Sequence, residues 1–81
     1  MITRIVELDA GILDYLTTRG ILKQYHKARQ YILEGHLGLV TFKKRKPAKN
    51  DEYEFRITQK YRALCQFKGS TLVVYAIDDH Q

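Results

Sequence analysis

The sequence predicts an α+β fold with elements in the order β-α-α-β-β-β-β. Three observations predict it: a β-branched run opens the chain, two stretches of helical period follow, and after Gly35 the apolar residues recur at every second position. Two helices followed by a strand meander imply helices packed on one face of a twisted, mainly antiparallel sheet. Residues 1–81 are expected to form one domain around one core.

Ile2 to Leu8 reads as the first strand, since Ile2, Thr3, Ile5 and Val6 are β-branched. Asp9 is placed to cap a helix over Ala10 to Thr18 that buries Ile12, Leu13 and Leu16, with Gly20 as its stop. A second helix, Ile21 to Glu34, lines up Ile21, Leu22, Tyr25, Ala28 and Ile32 on one face and Lys23, Lys27 and Gln30 on the other. Gly35 ends it in a left-handed conformation. Leu37 to Lys44 then reads as a strand with a basic end, and Ala48 to Glu52 as a polar loop after Pro47. Tyr53 to Ile57 alternates strictly, apolar then charged, and Lys60 to Phe67 follows. Lys68-Gly69-Ser70 supplies a hairpin turn into Thr71 to Asp78, so the last three strands are expected to be antiparallel.

The composition, 44% hydrophobic and 28% charged, is that of a globule and not of a disordered tail. No apolar run approaches the roughly 20 residues of a membrane helix, which excludes helical spans. Glu7 interrupts the opening segment and no apolar h-region follows Met1, so no signal peptide is expected. The single cysteine, Cys65, has no internal disulfide partner, and a cytoplasmic protein is expected.

The net charge of +5 is unevenly spread. Lys43 to Lys68 carries nine bases against the acids Asp51, Glu52 and Glu54, whereas the rest of the chain is −1. Such asymmetry marks a phosphate-binding surface or the site of an acidic partner, because a merely solubilising face intersperses both signs. Alternation sharpens the placement. If Tyr53, Phe55 and Ile57 face the helices, Glu54, Arg56 and Thr58 face away. With Tyr61, Ala63, Cys65 and Phe67 as the core set of the next strand, Arg62, Leu64 and Gln66 face away too. On the last strand Leu72, Val74 and Ala76 compete with Val73, Tyr75 and Ile77, and taking the bulkier Tyr75 set as core puts His80 beside the arginines. An open face with Arg56, Arg62 and His80, rimmed by Lys43, Lys44, Arg45 and Lys46, reads as a groove for RNA phosphates. The competing reading of the arginines is cross-strand pairing with Glu54 or simple exposure.

Two segments, Tyr53-Glu54-Phe55-Arg56-Ile57-Thr58-Gln59-Lys60-Tyr61-Arg62-Ala63-Leu64 and Val74-Tyr75-Ala76-Ile77-Asp78-Asp79-His80, resemble the signature half of the RelE/ParE toxin superfamily. The similarity is greatest to its HigB-like, plasmid-maintenance killer branch. It covers about a third of the chain in detail, and the first half matches in element order only. The resemblance implies a small basic bacterial toxin paired with an antitoxin of the same operon. Many members cleave mRNA in the ribosomal A site, and the ParE branch poisons DNA gyrase.

Metal-free RNA cleavage needs a base for the 2′-hydroxyl proton, cations for the developing phosphorane charge and an acid for the leaving oxygen. Arginine suits the middle role, because its fork engages two phosphate oxygens and stays charged. By resemblance Arg56 and Arg62 flank the scissile phosphate, with Arg62 foremost, and His80 serves as base or acid. Lys43, Lys44 and Lys46 resemble the basic residues that precede the signature strand; they can hold RNA backbone, or one can act as the base if its pKa falls. Where the branch often has a tyrosine before the histidine this chain has Asp79, which can orient His80 but also repels phosphate.

Histidines at 26, 36 and 80 with one cysteine give no zinc-ligand spacing, and no cofactor is expected. Cys65 reads as a buried thiol, and Tyr15, Tyr25 and Tyr31 as core or interface residues. The leading expectation is thus a ribosome-dependent mRNA endonuclease, whose partners are ribosome, mRNA and a cognate antitoxin with an acidic or amphipathic segment. The alternatives are a ParE-type gyrase inhibitor and a non-catalytic basic module that binds RNA or a partner.

Overall fold

The computed structural model describes residues 2–47 and 50–79. Strand β1 (Arg4–Glu7) leads into helices α1 (Ala10–Thr18) and α2 (Leu22–Leu33), and the chain then forms β2 (Lys43–Lys44), β3 (Glu52–Arg56), β4 (Tyr61–Lys68) and β5 (Thr71–Asp79). The fold is α+β in the expected order. The five strands form one sheet in the order β1-β5-β4-β3-β2, antiparallel except that β1 runs parallel to β5. The two helices make the crossover from β1 that lets the last strand return beside the first.

The helices bury the faces their periodicity marks: Ile12 and Leu16 of α1, then Ile21, Tyr25, Ala28 and Ile32 at the start and along the length of α2. They meet Ile5, Phe55, Ile57, Ala63, Cys65, Leu72 and Val74 from the sheet. Gly35 follows α2 at φ +86°, a conformation that disfavours any side chain. Asp9 occupies the N-cap position of α1 with extended backbone, but its side chain makes no capping hydrogen bond. A polar triad locks α2 to β1. The Tyr25 hydroxyl donates to Glu7 Oε2 at 2.7 Å, Arg29 Nε lies 3.6 Å from the same oxygen, and Arg29 Nη2 donates to the Ile5 carbonyl at 2.6 Å.

Phe67, expected in the core set, is 41% exposed at the end of β4, edge-on to Phe42 and Tyr53. Two further sequence expectations are corrected. Leu37 to Lys44 is not one strand: Leu37–Val40 forms a 3-10 turn, and only Lys43–Lys44 pairs with β3. Gly38 weakens an extended run here, and Thr41 takes a left-handed backbone (φ 50°) that folds the chain back, with Phe42 N–H donating to the Leu37 carbonyl. The second correction concerns β5, where Leu72 and Val74 are fully buried and the Tyr75 set is not the core set throughout. Leu64 pairs with Ala76 while Cys65 pairs with Val74, so Tyr75 is the extra residue of a β-bulge. Parity flips there: Leu72 and Val74 face the helices before the bulge, and Ile77 packs against the core after it. Neither alternating set could be right for the whole strand.

Candidate functional site

Register brings the predicted arginines together. Arg56 of β3 lies directly across from Arg62 of β4, which in turn lies across from Asp78 of β5. The three form one row on the sheet face opposite the helices, near the β3–β4 turn. The turn is tightened by the Thr58 hydroxyl, which accepts from the Lys60 and Tyr61 amides.

The two arginines differ in state. Arg62 is 14% exposed and donates through Nη1 to Glu54 Oε2, the cross-strand pairing weighed against phosphate binding. Its Nε is buried without a hydrogen-bond partner among the described residues. The other Glu54 oxygen lies 3.4 Å from Arg45 Nε, so one acid, itself 9% exposed, sits between two guanidinium groups. Arg56 is exposed and makes no ion pair among the described residues.

Alternation splits the basic run. Lys43 pairs in register with Glu54 and shares its face with Arg45, whereas Lys44 pairs with Tyr53 on the helix side. Lys44 Nζ contacts Asp51 at 3.0 Å, and this hydrogen bond raises the lysine pKa, opposite to the shift a general base needs. Lys43 and Lys46 are exposed. Tyr75 is the bulge residue; desolvation, and after it the nearby Glu52 carboxylate, push its pKa up, so it stays protonated.

One residue past the row, Asp79, the register partner of Tyr61, lies 3.7 Å from Lys60 Nζ. That leaves Asp79 engaged with a lysine. His80, the proposed acid or base, lies outside the described residues. Cys65 is buried, its thiol 3.5 Å from the Tyr53 carbonyl oxygen and its pKa pushed up to about 12, first by desolvation and then by Glu54. It is not a nucleophile. Among the described residues no group of three or more His, Cys, Asp and Glu side chains is arranged to hold a metal ion.

Sequence reasoning did not identify Arg45 as a partner of Glu54, nor Lys27 and Tyr31 as neighbours of Arg56 in one groove. The first had a signal, since a charged residue alternating with the core side of a central strand must find a counter-ion. The second depends on how α2 crosses the edge of β3.

No protein-family model and no curated protein matches the chain. No helix of the described residues is long and apolar enough to cross a membrane.

Proposed function

We propose that the chain is a type II toxin of the RelE/ParE kind, closest to the HigB-like branch, acting as a metal-independent, ribosome-dependent mRNA endonuclease. The observation that supports this reading most is the row of Arg56 and Arg62, side by side across β3 and β4 on the face opposite the helices. In this reading Arg56, exposed and unpaired among the described residues, takes the scissile phosphate. Arg62, held by Glu54, fixes the electrostatics beneath it, and His80 moves the proton. Lys43 and Lys46 hold RNA backbone, and a cognate antitoxin with an acidic or amphipathic segment covers the same basic face. The site of action is the cytoplasm, where the ribosomes are.

The test is incubation of the purified chain with ribosomes programmed with a defined mRNA, with primer extension to map cuts and the same RNA without ribosomes alongside. Cleavage in the A site only with ribosomes present is expected. Absence of any cut by a protein that still arrests growth rejects the endonuclease reading.

One observation favours a second reading. Arg45 and Arg62 are already engaged by Glu54, and a cation neutralised by a carboxylate does less for a developing phosphorane charge than a free one. A non-catalytic basic module would bind RNA or an acidic partner with affinity falling steeply with salt, and would cut nothing.

A further inference from the structure

Strand β3 outruns its edge partner. β2 pairs only with Tyr53 and Glu54, so among the described residues the end of β3 has no strand on its outer side. There α2 and the 3-10 turn come over the sheet edge and leave a groove of about 220 Å³. Gln24, Lys27 and Tyr31 of α2, Leu39 of the 3-10 turn and Arg56 of β3 line it; Ala28, Val40 and Ile57, which also line it, are buried.

Three features of this groove are unusual for a small solvated surface. Lys27 and Arg56 are both exposed, and neither makes an ion pair among the described residues. Lys27 Nζ stands 5.8 Å from the centre of the Tyr31 ring, so cation and aromatic surface are presented together. Leu39, in the same groove, is 66% exposed, an apolar surface that water wets at a cost. Two uncompensated cations ask for an anion, while a flat aromatic face and an apolar wall ask for a flat, weakly hydrated group. A nucleotide carries both. A peptide of acidic residues would satisfy the cations but brings no flat group for the Tyr31 face.

We propose that this groove is a single-nucleotide subsite for single-stranded RNA: a base lies between Tyr31 and Leu39, and its phosphate lies between Lys27 and Arg56. The inference rests on the RNA reading above and extends it. Because Arg56 stands directly across from Arg62, the groove continues the arginine row over the sheet edge to the helix side. Sequence-tolerant stacking is the recognition such a site offers, since every base has an aromatic face.

The test is an NMR titration of the isotopically labelled chain at low salt with a short single-stranded RNA and with an abasic ribose-phosphate oligomer of equal length. RNA is expected to bind about tenfold or more tightly than the abasic oligomer, shifting the amides of Gln24, Lys27, Tyr31 and Arg56. Tyr31→Leu should remove that advantage, and Lys27→Gln should weaken both oligomers alike. Tyr31 is partly packed on the core, so Leu39→Ser, at a far more exposed position, tests the other wall if Tyr31→Leu does not fold. Equal binding of both oligomers by the unaltered chain overturns the subsite and leaves the RNA reading standing. Binding of neither also overturns the subsite, as does a glutamate-rich peptide shifting these amides where RNA does not; the RNA reading itself stands or falls on the ribosome assay above.

Discussion

Arg62 reaches diagonally across the β3–β4 ladder to Glu54, whose register partner is Leu64, and Glu54 keeps Arg45 on its second oxygen. A carboxylate that is only 9% exposed on a sheet face without a helix is covered by its own counter-ions. Diagonal pairs of this kind draw on long side chains, and here the contact turns two arginines into part of the framework. Glu54→Gln should therefore do two things. It leaves two guanidinium groups facing each other, which should destabilise the fold by about 2 kcal/mol, less than a fully buried pair because Arg62 and Arg45 retain some solvent. It also frees an anion site, so sulfate should stabilise the variant more than the parent chain. Urea midpoints with and without sulfate measure both, and an unchanged midpoint would remove Glu54 from the framework.

Arg56 and Arg62 should separate under substitution, although they are neighbours in register. Arg56→Ala, at an exposed position without an ion pair among the described residues, should change stability by no more than about 0.5 kcal/mol while abolishing growth arrest. Arg62→Ala should abolish growth arrest and also lower the urea midpoint, because Glu54 loses its closest partner. Arg62→Lys should restore most of the stability without restoring Arg-type bidentate binding. Full toxicity of Arg56→Ala would end its assignment to the phosphate.

Most of the architecture was legible because it follows from periodicity. The faces of α1 and α2, the alternation of Tyr53 to Ile57 and the glycines after each helix all report local rules that tertiary packing did not override. What was not legible depends on events between strands. The bulge at Tyr75 changes parity inside β5, and nothing in that strand's own residues signals it; it is visible only as a register step against Leu64 and Cys65. The 3-10 turn at Leu37–Val40 replaces a strand because Thr41 adopts a left-handed backbone, a conformation that a β-branched residue rarely supports. For the site, alternation correctly put Arg56 and Arg62 in one row, yet which of them is free to meet a phosphate was decided by Glu54 and Arg45.

Tyr25 should prove the most informative polar residue of the core. Its hydroxyl donates to Glu7, which Arg29 also approaches, and Arg29 in turn caps the Ile5 carbonyl on the outer edge of β1. Tyr25→Phe keeps the ring stacked on Phe55 and removes only the donor. Leaving a part-buried carboxylate with one partner fewer should cost about 1–2 kcal/mol, a melting-temperature loss of about 5–10 °C for a domain of this size. Arg29→Met should cost at least as much, and it would expose the β1 edge to pairing with other chains, visible as concentration-dependent association in sedimentation. A variant Tyr25→Phe that melts with the parent would show that Arg29 alone satisfies Glu7.

Alkaline pH should unfold the chain through its buried proton donors. Desolvation, with a smaller push from Glu54, moves the Cys65 thiol from 9.0 up to about 12. Desolvation and the hydrogen bond to Glu7 move Tyr25 well above its ordinary value of 10.0. In both cases the folded state keeps a proton that the unfolded chain releases, so their contribution is fully present below pH 9 and shrinks as pH rises. Between pH 9 and pH 10 Cys65 alone should reduce stability, approaching about 1.4 kcal/mol per pH unit, and the slope should steepen above pH 10 once unfolded Tyr25 ionises as well. Urea midpoints measured from pH 8 to pH 11 should trace this curve. Cys65→Ala should start from a lower midpoint but flatten the first segment, and at pH 8 the native thiol should react with a disulfide reagent only at the rate of global unfolding. A midpoint constant to pH 10.5 would mean that the thiol ionises in the folded chain, and rapid labelling at pH 8 would place it within reach of solvent.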